Sequence, residues 1–312
     1  MSQNELHVVF GTGALGKWTT RELVRMGKRV RMVSHSGKAD SRIPSEVEVV
    51  QGDAYDINHN IEITKNAVAI YQCAQPPYHT WVEKFPSMQK AILDAASVNG
   101  AKFIVGDNLY MYGDTNGQPI REDMPYQAHT KKGKVRGEMA NTVMEAHRSG
   151  KVRAAIGRAS NFFGPDDNAV TSYAIRPALA GKSINLLGRT DQPHTFSYVA
   201  DFGKLLATLG TREESLGQIW FTPSPAPVTQ VELVGIMEEV LGRKIKFMAA
   251  GKAMLSFLGL FMPTLRESVE MLYEWDKPFI MDSSKAQKTF GLQPTSLKDA
   301  IRTTIDWCKE NA

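Results

Sequence analysis

The amino-acid sequence predicts an α/β protein built on a doubly wound parallel sheet, with a smaller C-terminal substrate-binding region. Apolar runs that fit buried strands alternate with helix-compatible segments through the first half of the 312 residues. This alternation is typical of a parallel sheet covered by helices on both faces. The apolar run at residues 8–10 ends directly in a glycine-rich turn. Beyond residue 165 the loops lengthen and prolines become frequent, which indicates a change of architecture.

The glycine-rich turn has the G-x-G-x-x-G spacing of dinucleotide-binding loops. The first glycine permits a tight strand-to-helix turn, the second lets the backbone approach a pyrophosphate, and the third lets the helix pack closely on the sheet. The helix that follows offers free N–H groups and the positive end of its dipole to the phosphates. We therefore predict that a dinucleotide binds to Gly11, Thr12, Gly13, Ala14, Leu15 and Gly16.

The remaining elements follow from apolar periodicity and from turn residues. Further strands are expected at residues 29–33, 47–50, 67–71, 102–105 and 152–156. The helices between them are expected after Gly16, from Pro86 to about Asn99, and across the segment that ends at Gly150. In the second half, the capping box Thr229-x-x-Glu232 opens a helix closed by Gly242, and Ser296-x-x-Asp299 opens the last helix.

This pattern suggests two regions. We expect residues 1–165 to form the dinucleotide-binding domain, and residues 166–312 to form mainly a lid that binds substrate. Segments around residues 190–222 are expected to return to the sheet. Because ligands of such sheets bind beyond the carboxyl ends of the strands, the residues that follow each strand are the candidates for chemistry.

The composition argues against several kinds of partner. A net charge of +4 without a dense basic block does not indicate nucleic-acid binding. The longest apolar stretch, residues 253–262, is interrupted by Ser256 and is too short to span a bilayer. Cys73 and Cys308 lie far apart without metal-ligand spacing, so we expect no metal site and a reducing, cytoplasmic environment.

Several further motifs are spread along nearly the whole chain. They are Gly52-Asp53, Tyr112-Gly113, Arg158-x-x-Asn161-x-x-Gly164-Pro165, Tyr198-Val199-Ala200-Asp201 and Asp282-x-x-Lys285-Ala286. Together with the glycine-rich turn they resemble the short-chain dehydrogenase/reductase superfamily, in its extended, epimerase/dehydratase-like branch. The resemblance implies a Rossmann-like fold, a nicotinamide dinucleotide cofactor and a small-molecule substrate, and it leaves a homodimer open.

The active site of this superfamily uses a serine or threonine, and a tyrosine followed four residues later by a lysine. By this resemblance Asn108 takes the serine position and Thr130 the tyrosine position. Lys134 then takes the lysine position, where it is expected to hold the nicotinamide ribose. We expect the neighbouring Lys131 and Lys132 to lie on a solvated helix face.

The threonine changes the proton chemistry. An aliphatic hydroxyl is a far weaker acid than a phenol with a pKa of about 10, so Thr130 cannot replace a tyrosine in proton transfer. Tyr110, Tyr78 and His79 are the candidates for that role, and the absence of any proton transfer is the other alternative. Asn108 can donate an amide hydrogen bond to a substrate carbonyl. The predicted catalytic residues are therefore Lys134, Asn108 and Tyr110.

The end of the second predicted strand favours NADP over NAD, although NAD stays possible. Ser34 stands where an acidic side chain would bind the ribose of NAD, and His35, Ser36 and Lys38 can donate to a 2′-phosphate. The resemblance also implies contacts along the rest of the cofactor. It assigns Asp53 and Ala54 to the adenine, Ala74 and Gln75 to the middle of the cofactor, and Ala159 and Asn161 to the nicotinamide.

The predicted substrate pocket consists of Tyr78, His79, Trp81, Asn108, Phe162, Phe163 and His194. The first functional hypothesis is an NAD(P)-dependent oxidoreductase, or an epimerase/dehydratase-like enzyme, acting on a small carbonyl or hydroxyl substrate with an atypical active site. The alternative is a non-catalytic NADP(H)-binding redox sensor, suggested by the loss of the tyrosine.

Overall fold

The computed structural model describes residues 5–167, 169–251 and 269–311, so the apolar stretch 253–262 lies outside the described residues. Its strands are β1 (Leu6–Phe10), β2 (Arg29–Ser34), β3 (Glu48–Gln51), β4 (Ala67–Gln72), β5 (Lys102–Asp107), β6 (Arg153–Arg158), β7 (Phe162–Phe163), β8 (Ile184–Leu187), β9 (Ser197–Tyr198), β10 (Ile219–Phe221) and β11 (Phe247–Ala250). Its helices are α1 (Ala14–Arg25), α2 (Ile57–Ile63), α3 (Trp81–Val98), α4 (Lys131–Arg148), α5 (Arg176–Leu179), α6 (Val199–Thr211), α7 (Gln230–Leu241), α8 (Tyr273–Asp276), α9 (Ser284–Phe290) and α10 (Leu297–Glu310).

Seven strands form one sheet in the order β10-β6-β5-β4-β1-β2-β3. Every neighbouring pair in it is parallel, so the predicted Rossmann-like fold class is confirmed. The strand order reverses between β1 and β4, and ligands of such sheets bind in the crevice beyond the strand ends at that point. The segment that contains α6 and β10 comes from the second half of the chain, and β10 pairs with β6 at the sheet edge.

Both faces of the sheet are buried at its centre, which explains why the central strands β1 and β4 are largely apolar, whereas the edge strand β3 is partly exposed. Adjacent residues of a strand point to opposite faces. Val8 therefore packs with residues of α3 and α4, including Ile92. Its neighbour Val9 packs in a second cluster with Leu23 of α1 and Leu205 of α6. The helices thus cover the sheet from both sides and leave the carboxyl ends of the strands as the place for a ligand.

Helix α3 begins at Trp81, before the predicted start at Pro86. Trp81 and Phe85 are both buried and anchor the additional turn. A short 3₁₀ turn over Tyr78–Thr80 leads into it. Proline is best tolerated in the first turn of a helix. Here the packing of Trp81 and Phe85 extends the helix on the N-terminal side of Pro86.

The helix starts predicted from capping residues are confirmed. The Thr229 hydroxyl accepts from the Glu232 backbone nitrogen over 3.1 Å, and the Glu232 carboxylate accepts from the Thr229 nitrogen over 2.7 Å. The Ser296 hydroxyl accepts from the Asp299 nitrogen over 3.2 Å. Helix α7 ends at Gly242, whose φ of +67° favours glycine. These helices pack with β8 in a separate hydrophobic cluster of the C-terminal region.

Candidate functional site

The turn between β1 and α1 forms an open backbone cradle. Gly11 has a φ of +106°, and a Cβ atom there would lie 2.8 Å from the backbone nitrogen of Ala74. A Cβ atom on Gly16 would collide with the carbonyl oxygen of Gly11, so only glycine lets α1 approach β1 this closely. At Gly13, by contrast, no described heavy atom lies within 4 Å of the Cβ position. This open backbone at the start of a helix fits a pyrophosphate.

A cleft of about 600 Å³ opens beside this turn. It unites most of the predicted residues: Gly11, Thr12, Gly13, Ala14, Leu15, Ala74, Gln75, Tyr78, Trp81, Asn108, Tyr110, Ala159, Asn161 and Phe162. The backbone cradle and the predicted substrate residues therefore share one cavity. Gly16 supports the cradle from beneath through its packing against Gly11.

The residues predicted for the adenosine end lie outside the lining of this cleft. His35, Ser36 and Lys38 are exposed in the turn after β2. Asp53 is exposed after β3, and Ala54 beside it is half-buried. Because β2 and β3 run parallel to β1, these turns lie at the same edge of the sheet as the cradle. Their contacts with a nucleotide stay a prediction.

A cationic cluster surrounds one carboxylate of the cleft, that of Asp166. Its oxygens lie 3.3 Å from Lys17 Nζ, 3.2 Å from an Arg21 nitrogen and 2.9 Å from an Arg42 nitrogen. Asp40 adds a second carboxylate 2.6 Å from Lys17. The three cations therefore offset the negative charge of these two carboxylates.

Helix α4 turns different basic residues towards the cleft than the sequence predicted. Lys134, expected at the ribose, is exposed, whereas Lys132 and Arg136 are buried. Residues four apart share a helix face and residues two apart do not, so one face cannot present both Lys134 and Arg136. Arg136 lines the cleft. Lys134 lies outside the cleft lining, and its contact with a ribose stays a prediction. The burial of Lys132 corrects the solvated position expected for that residue.

Lys132 and Thr130 have structural partners at the start of α4. The Lys132 ammonium lies 3.0 Å from a Glu270 carboxylate oxygen and 4.5 Å from the centre of the Tyr78 ring. The Thr130 hydroxyl accepts from the Gly133 backbone nitrogen over 3.0 Å and so caps the helix. Capping residues of this kind stabilise helix starts, and this contact accounts for the threonine at residue 130.

Asp107, at the end of β5, anchors the floor of the cleft. Its Oδ1 accepts from Arg136 Nε over 2.9 Å, and its Oδ2 accepts from Arg158 Nε over 2.9 Å. Arg158 also donates to the hydroxyls of Tyr112 and Tyr126, over 2.6 and 2.7 Å. Asp107 and Arg136 were not predicted from the sequence, although Asp107 stands directly at a strand end, where polar residues of such sheets meet ligands.

Asn108 and Tyr110 follow β5 and both line the cleft. Asn108 Oδ1 accepts from the backbone nitrogen of Tyr110 over 3.2 Å, so the amide nitrogen points away from that backbone. Burial raises the pKa of the Tyr110 phenol well above its ordinary value, and nearby Tyr78 and Glu274 add to the shift. Tyr110 is therefore a neutral hydrogen-bond donor near pH 7 and not a base.

Three residues predicted for the substrate pocket lie elsewhere. His79 is exposed in the turn before α3. Phe163 is buried against Tyr198, with ring centres 5.9 Å apart. His194 stacks on Trp275, with ring centres 4.2 Å apart, and burial lowers its pKa to about 3. Aromatic packing thus draws Phe163 and His194 into the C-terminal core and away from the cleft.

Glu274 of α8 also lines the cleft and was not predicted from the sequence. Its side chain is buried, and its Oε2 accepts from Asn161 Nδ2 over 3.1 Å. Its Oε1 is buried without a hydrogen-bond partner among the described residues. Burial raises the pKa of this carboxyl to about 8. Asn161 is 113 residues away in the chain, so no local sequence pattern signals the contact.

Comparison with known proteins places this fold and cleft in a family. Residues 8–220 match the NAD dependent epimerase/dehydratase family. The chain belongs to that family. A curated relative, 3beta-hydroxysteroid-dehydrogenase/decarboxylase isoform 2 of Arabidopsis thaliana, is 27% identical over an alignment of 212 residues that covers 60% of this chain and 36% of the plant protein. The chain therefore matches only about a third of that relative's length.

Solved structures of epimerases and dehydratases share the fold. UDP-glucuronic acid 4-epimerase from Bacillus cereus, solved with UDP-glucuronic acid and NAD, is similar with a TM-score of 0.79 and 17% identity, over 98% of this chain and 100% of that one. An epimerase from Methanothermobacter thermautotrophicus gives 0.81 and 17%, over 99% and 93%. dTDP-glucose 4,6-dehydratase from Streptomyces venezuelae, solved with NAD, gives 0.79 and 18%, over 98% and 97%.

The family therefore contains enzymes, and solved proteins of this fold bind NAD. Two further observations concern this member of the NAD dependent epimerase/dehydratase family. Among residues 5–167, 169–251 and 269–311, no helix is long and apolar enough to cross a membrane. Within the same ranges, no three His, Cys, Asp or Glu side chains lie close enough together to hold a metal ion.

Proposed function

We propose that this protein is an NAD(P)-dependent oxidoreductase or epimerase/dehydratase-like enzyme that acts on a small carbonyl or hydroxyl substrate through an atypical active site. One observation carries this proposal. The cradle at Gly13 and the polar side chains of Asn108, Tyr110 and Asn161 face the same cleft. Its volume of about 600 Å³ is that of a small-molecule site. We also propose a cytoplasmic location, consistent with the two free cysteines, Cys73 and Cys308.

The cofactor proposal rests on the cradle, because a glycine backbone that faces open space at a helix start suits a pyrophosphate. A bound nicotinamide would supply or accept a hydride. We propose NADP as the preferred form, with NAD accepted, since His35, Ser36 and Lys38 are exposed near the end of β2. Arg136 takes the ribose contact first expected from Lys134. Asp107 orients its guanidinium.

The substrate proposal rests on the other end of the cleft. Tyr78, Trp81 and Phe162 provide aromatic walls for a ring or an apolar face of the substrate. Asn108 donates its amide hydrogen bond to a substrate oxygen, and Tyr110 donates its phenol. Both groups polarise a carbonyl, and neither removes a proton near pH 7.

Relatives suggest which substrates to test first. Proteins similar to this chain carry names that refer to UDP-glucuronic acid, dTDP-glucose and 3beta-hydroxysteroids. A screen of nucleotide sugars, hydroxysteroids and small ketones, followed by nicotinamide absorbance and by product analysis, is expected to find turnover with at least one class. Product analysis is needed because an epimerase returns its hydride and leaves no net absorbance change.

A matched pair of glycine variants tests the cradle. In Gly13→Val the Cβ atom makes no close contact with described residues beyond its chain neighbours, and the side chain extends into the space proposed for the pyrophosphate. We expect this variant to fold normally, to bind NADPH at least tenfold more weakly and to lose turnover. Gly235→Val is the control, since Gly235 also has no described heavy atom within 4 Å of its Cβ position. Unchanged NADPH affinity in Gly13→Val would refute the proposed cofactor site.

One observation favours a second candidate function, a non-catalytic NADP(H) sensor. The buried cations of α4, Lys132 and Arg136, are both held in ion pairs, with Glu270 and Asp107. Because these pairs engage both charges, neither cation is available to activate a catalytic hydroxyl. Calorimetry with NADP and NADPH separates the two candidates. Strongly unequal affinities, a protein partner recovered with only one redox form and no turnover in the screen would favour the sensor. Similar affinities with measurable turnover would favour the enzyme.

A further inference from the structure

The buried carboxyl of Glu274 is the starting point, because Glu274 lines the cleft and one of its carboxyl oxygens has no hydrogen-bond partner among the described residues. Glu274 is only 2% exposed to solvent. Oε2 accepts a hydrogen bond from Asn161, whereas Oε1 has no hydrogen-bond partner among the described residues. A buried polar atom without a partner costs free energy. Such an atom in a cleft therefore suggests that a ligand completes its hydrogen bonding.

The hydrogen-bond network fixes which oxygen can carry a proton. His194 Nδ1 lies 3.1 Å from the backbone carbonyl oxygen of Glu274, so Nδ1 must be the protonated nitrogen. Burial lowers the pKa of His194 to about 3, so the ring is neutral near pH 7 and Nε2 is an acceptor. The group 3.1 Å from Nε2 must then be the amide nitrogen of Asn161.

The orientation of Asn161 determines the state of Glu274 in turn. The same amide nitrogen has two hydrogens, and it donates one to His194 and one to Glu274 Oε2. Oε2 is therefore an acceptor, and any proton on the carboxyl lies on Oε1. His194 and Asn161 thus act as positioning residues that direct the acidic hydrogen of Glu274 away from the protein network.

We propose that Glu274 is the catalytic acid and base of the cleft, exchanging a proton between its Oε1 and a substrate oxygen. The proposal rests on the proposed enzymatic function and assigns the proton transfer that Thr130 cannot perform. In reduction the O–H bond of the Glu274 carboxyl breaks, an O–H bond forms on the former carbonyl oxygen of the substrate, and a carboxylate remains. In oxidation the carboxylate takes that proton back. The hydride comes from the bound nicotinamide nucleotide in reduction and returns to it in oxidation.

The surroundings of the carboxyl suit this exchange. Among the described residues, the phenols of Tyr110 and Tyr273 interact electrostatically with this carboxyl, and Asn161 links it to the neutral ring of His194. The ammonium of Lys132, on α4, is paired with Glu270. Burial raises the pKa of Glu274 to about 8, so both protonation states are accessible near neutral pH, as acid–base catalysis requires.

The test compares Glu274→Gln with wild type on a substrate found in the screen. Glutamine keeps an acceptor for Asn161 and a donor facing the cleft, but it cannot release a proton. We expect kcat to fall about 100-fold or more, with NADPH affinity within twofold of wild type. The wild-type rate of reduction should fall as pH rises through about 8, the oxidation rate should rise, and both limbs should vanish in the variant.

Two further measurements make the result specific. Glu122→Gln is the matched control, since Glu122 is a half-buried carboxyl outside the cleft whose pKa is also raised by burial. We expect it to keep the wild-type kcat and pH profile. Infrared spectra provide a readout without turnover. A protonated carboxyl band at pH 7 should be present in wild type and weaker by one group in Glu274→Gln.

The outcomes separate this inference from the proposed function. If wild type turns over and Glu274→Gln keeps kcat within threefold with the same pH limbs, the inference is wrong and the proposed function stands. If the band is lost but the kinetics do not change, Glu274 is a buried acid without a catalytic role, and the inference is again wrong. If wild type turns over no substrate, the proposed function fails and this inference fails with it.

Discussion

The guanidinium of Arg158 donates from Nε to Oδ2 of Asp107 over 2.9 Å, and both side chains are almost fully buried. Arg136 takes the other oxygen of the same carboxylate. One carboxylate therefore holds the ends of β5 and β6 and the first turns of α4 together at the floor of the cleft. Because two cations depend on it, this contact supports both stability and the geometry of the site.

Asp107→Asn is expected to destabilise the protein strongly. The substitution leaves two buried guanidiniums without a countercharge, and breaking a buried ion pair in this way costs about 3–5 kcal/mol. Urea unfolding followed by circular dichroism measures the change. Asp191→Asn is the control, since its pair with Arg189 is exposed, and we expect no measurable effect there. Equal stability of the two variants would contradict the prediction.

The register of α4 gives a second prediction. Arg136→Met is expected to weaken NADPH binding about fivefold to tenfold, because it removes a charge-assisted hydrogen bond at the proposed ribose contact, partly offset by lower desolvation. Lys134→Met should leave the affinity within twofold, since Lys134 is exposed. Quenching of tryptophan fluorescence by NADPH measures both. A larger effect of Lys134→Met than of Arg136→Met would restore the register first expected from the sequence.

The fold could be predicted from the sequence because its signals are local. Gly11 and Gly16 are required by close contacts within that turn and with the adjacent strand end, and buried parallel strands are largely apolar. Charge-rich α4 is different. Two pairs in this segment, Thr130–Lys134 and Lys132–Arg136, have the four-residue spacing of the superfamily motif. The structure distinguishes them, because Lys132 is buried against Tyr78 and Arg136 against Asp107.

The position of Glu274 in the cleft could not be predicted from the sequence, because its contact with Asn161 is long-range. Glu274 reaches the cleft only when α8 packs beside Asn161, 113 residues earlier in the chain. Its local sequence also contains Glu270 and Asp276 and does not distinguish among the three carboxyls. His194 was predicted from the sequence to line the substrate pocket. In the structure its ring stacks on Trp275 and Phe279 instead.

Cofactor preference can be tested at the turn after β2. Lys38→Ala is expected to weaken NADP binding several-fold to about tenfold and to leave NAD nearly unchanged, because only NADP carries the 2′-phosphate. His35→Ala should act in the same direction, because it removes a second side chain that can donate to the 2′-phosphate.

Ser34→Asp is the converse experiment on the same turn. An acidic side chain facing the ribose should shift the preference towards NAD, since it repels the 2′-phosphate and accepts from both ribose hydroxyls. Calorimetric titrations of each variant with NAD and NADP give the ratio directly. Equal affinities that none of the three substitutions changes would show that the turn does not contact the cofactor.

The buried carboxyl of Glu274 predicts an unusual dependence of stability on pH. Its pKa is about 8 in the folded protein and about 4.3 in an unfolded chain. Between these values the folded state binds the proton that the unfolded state has released, so this group lowers the free energy of unfolding as pH rises from about 4.3 to 8. Below that window the folded and unfolded states are both protonated, and the penalty is absent.

Glu274→Gln should therefore be more stable than wild type at pH 8, by an amount of the order of 5 kcal/mol, and equally stable near pH 4. The buried histidines His7 and His194, with pKa values lowered to about 4 and 3, change stability in the opposite direction below pH 6.5. They are present in both proteins, however, so they cancel in the difference. Thermal unfolding at each pH measures it, with the exposed Glu214→Gln as control. A stability difference that stays constant from pH 4 to pH 8 would mean that the pKa of Glu274 is not raised by folding. The carboxyl would then be ionised near pH 7, and its proposed role as an acid would be lost.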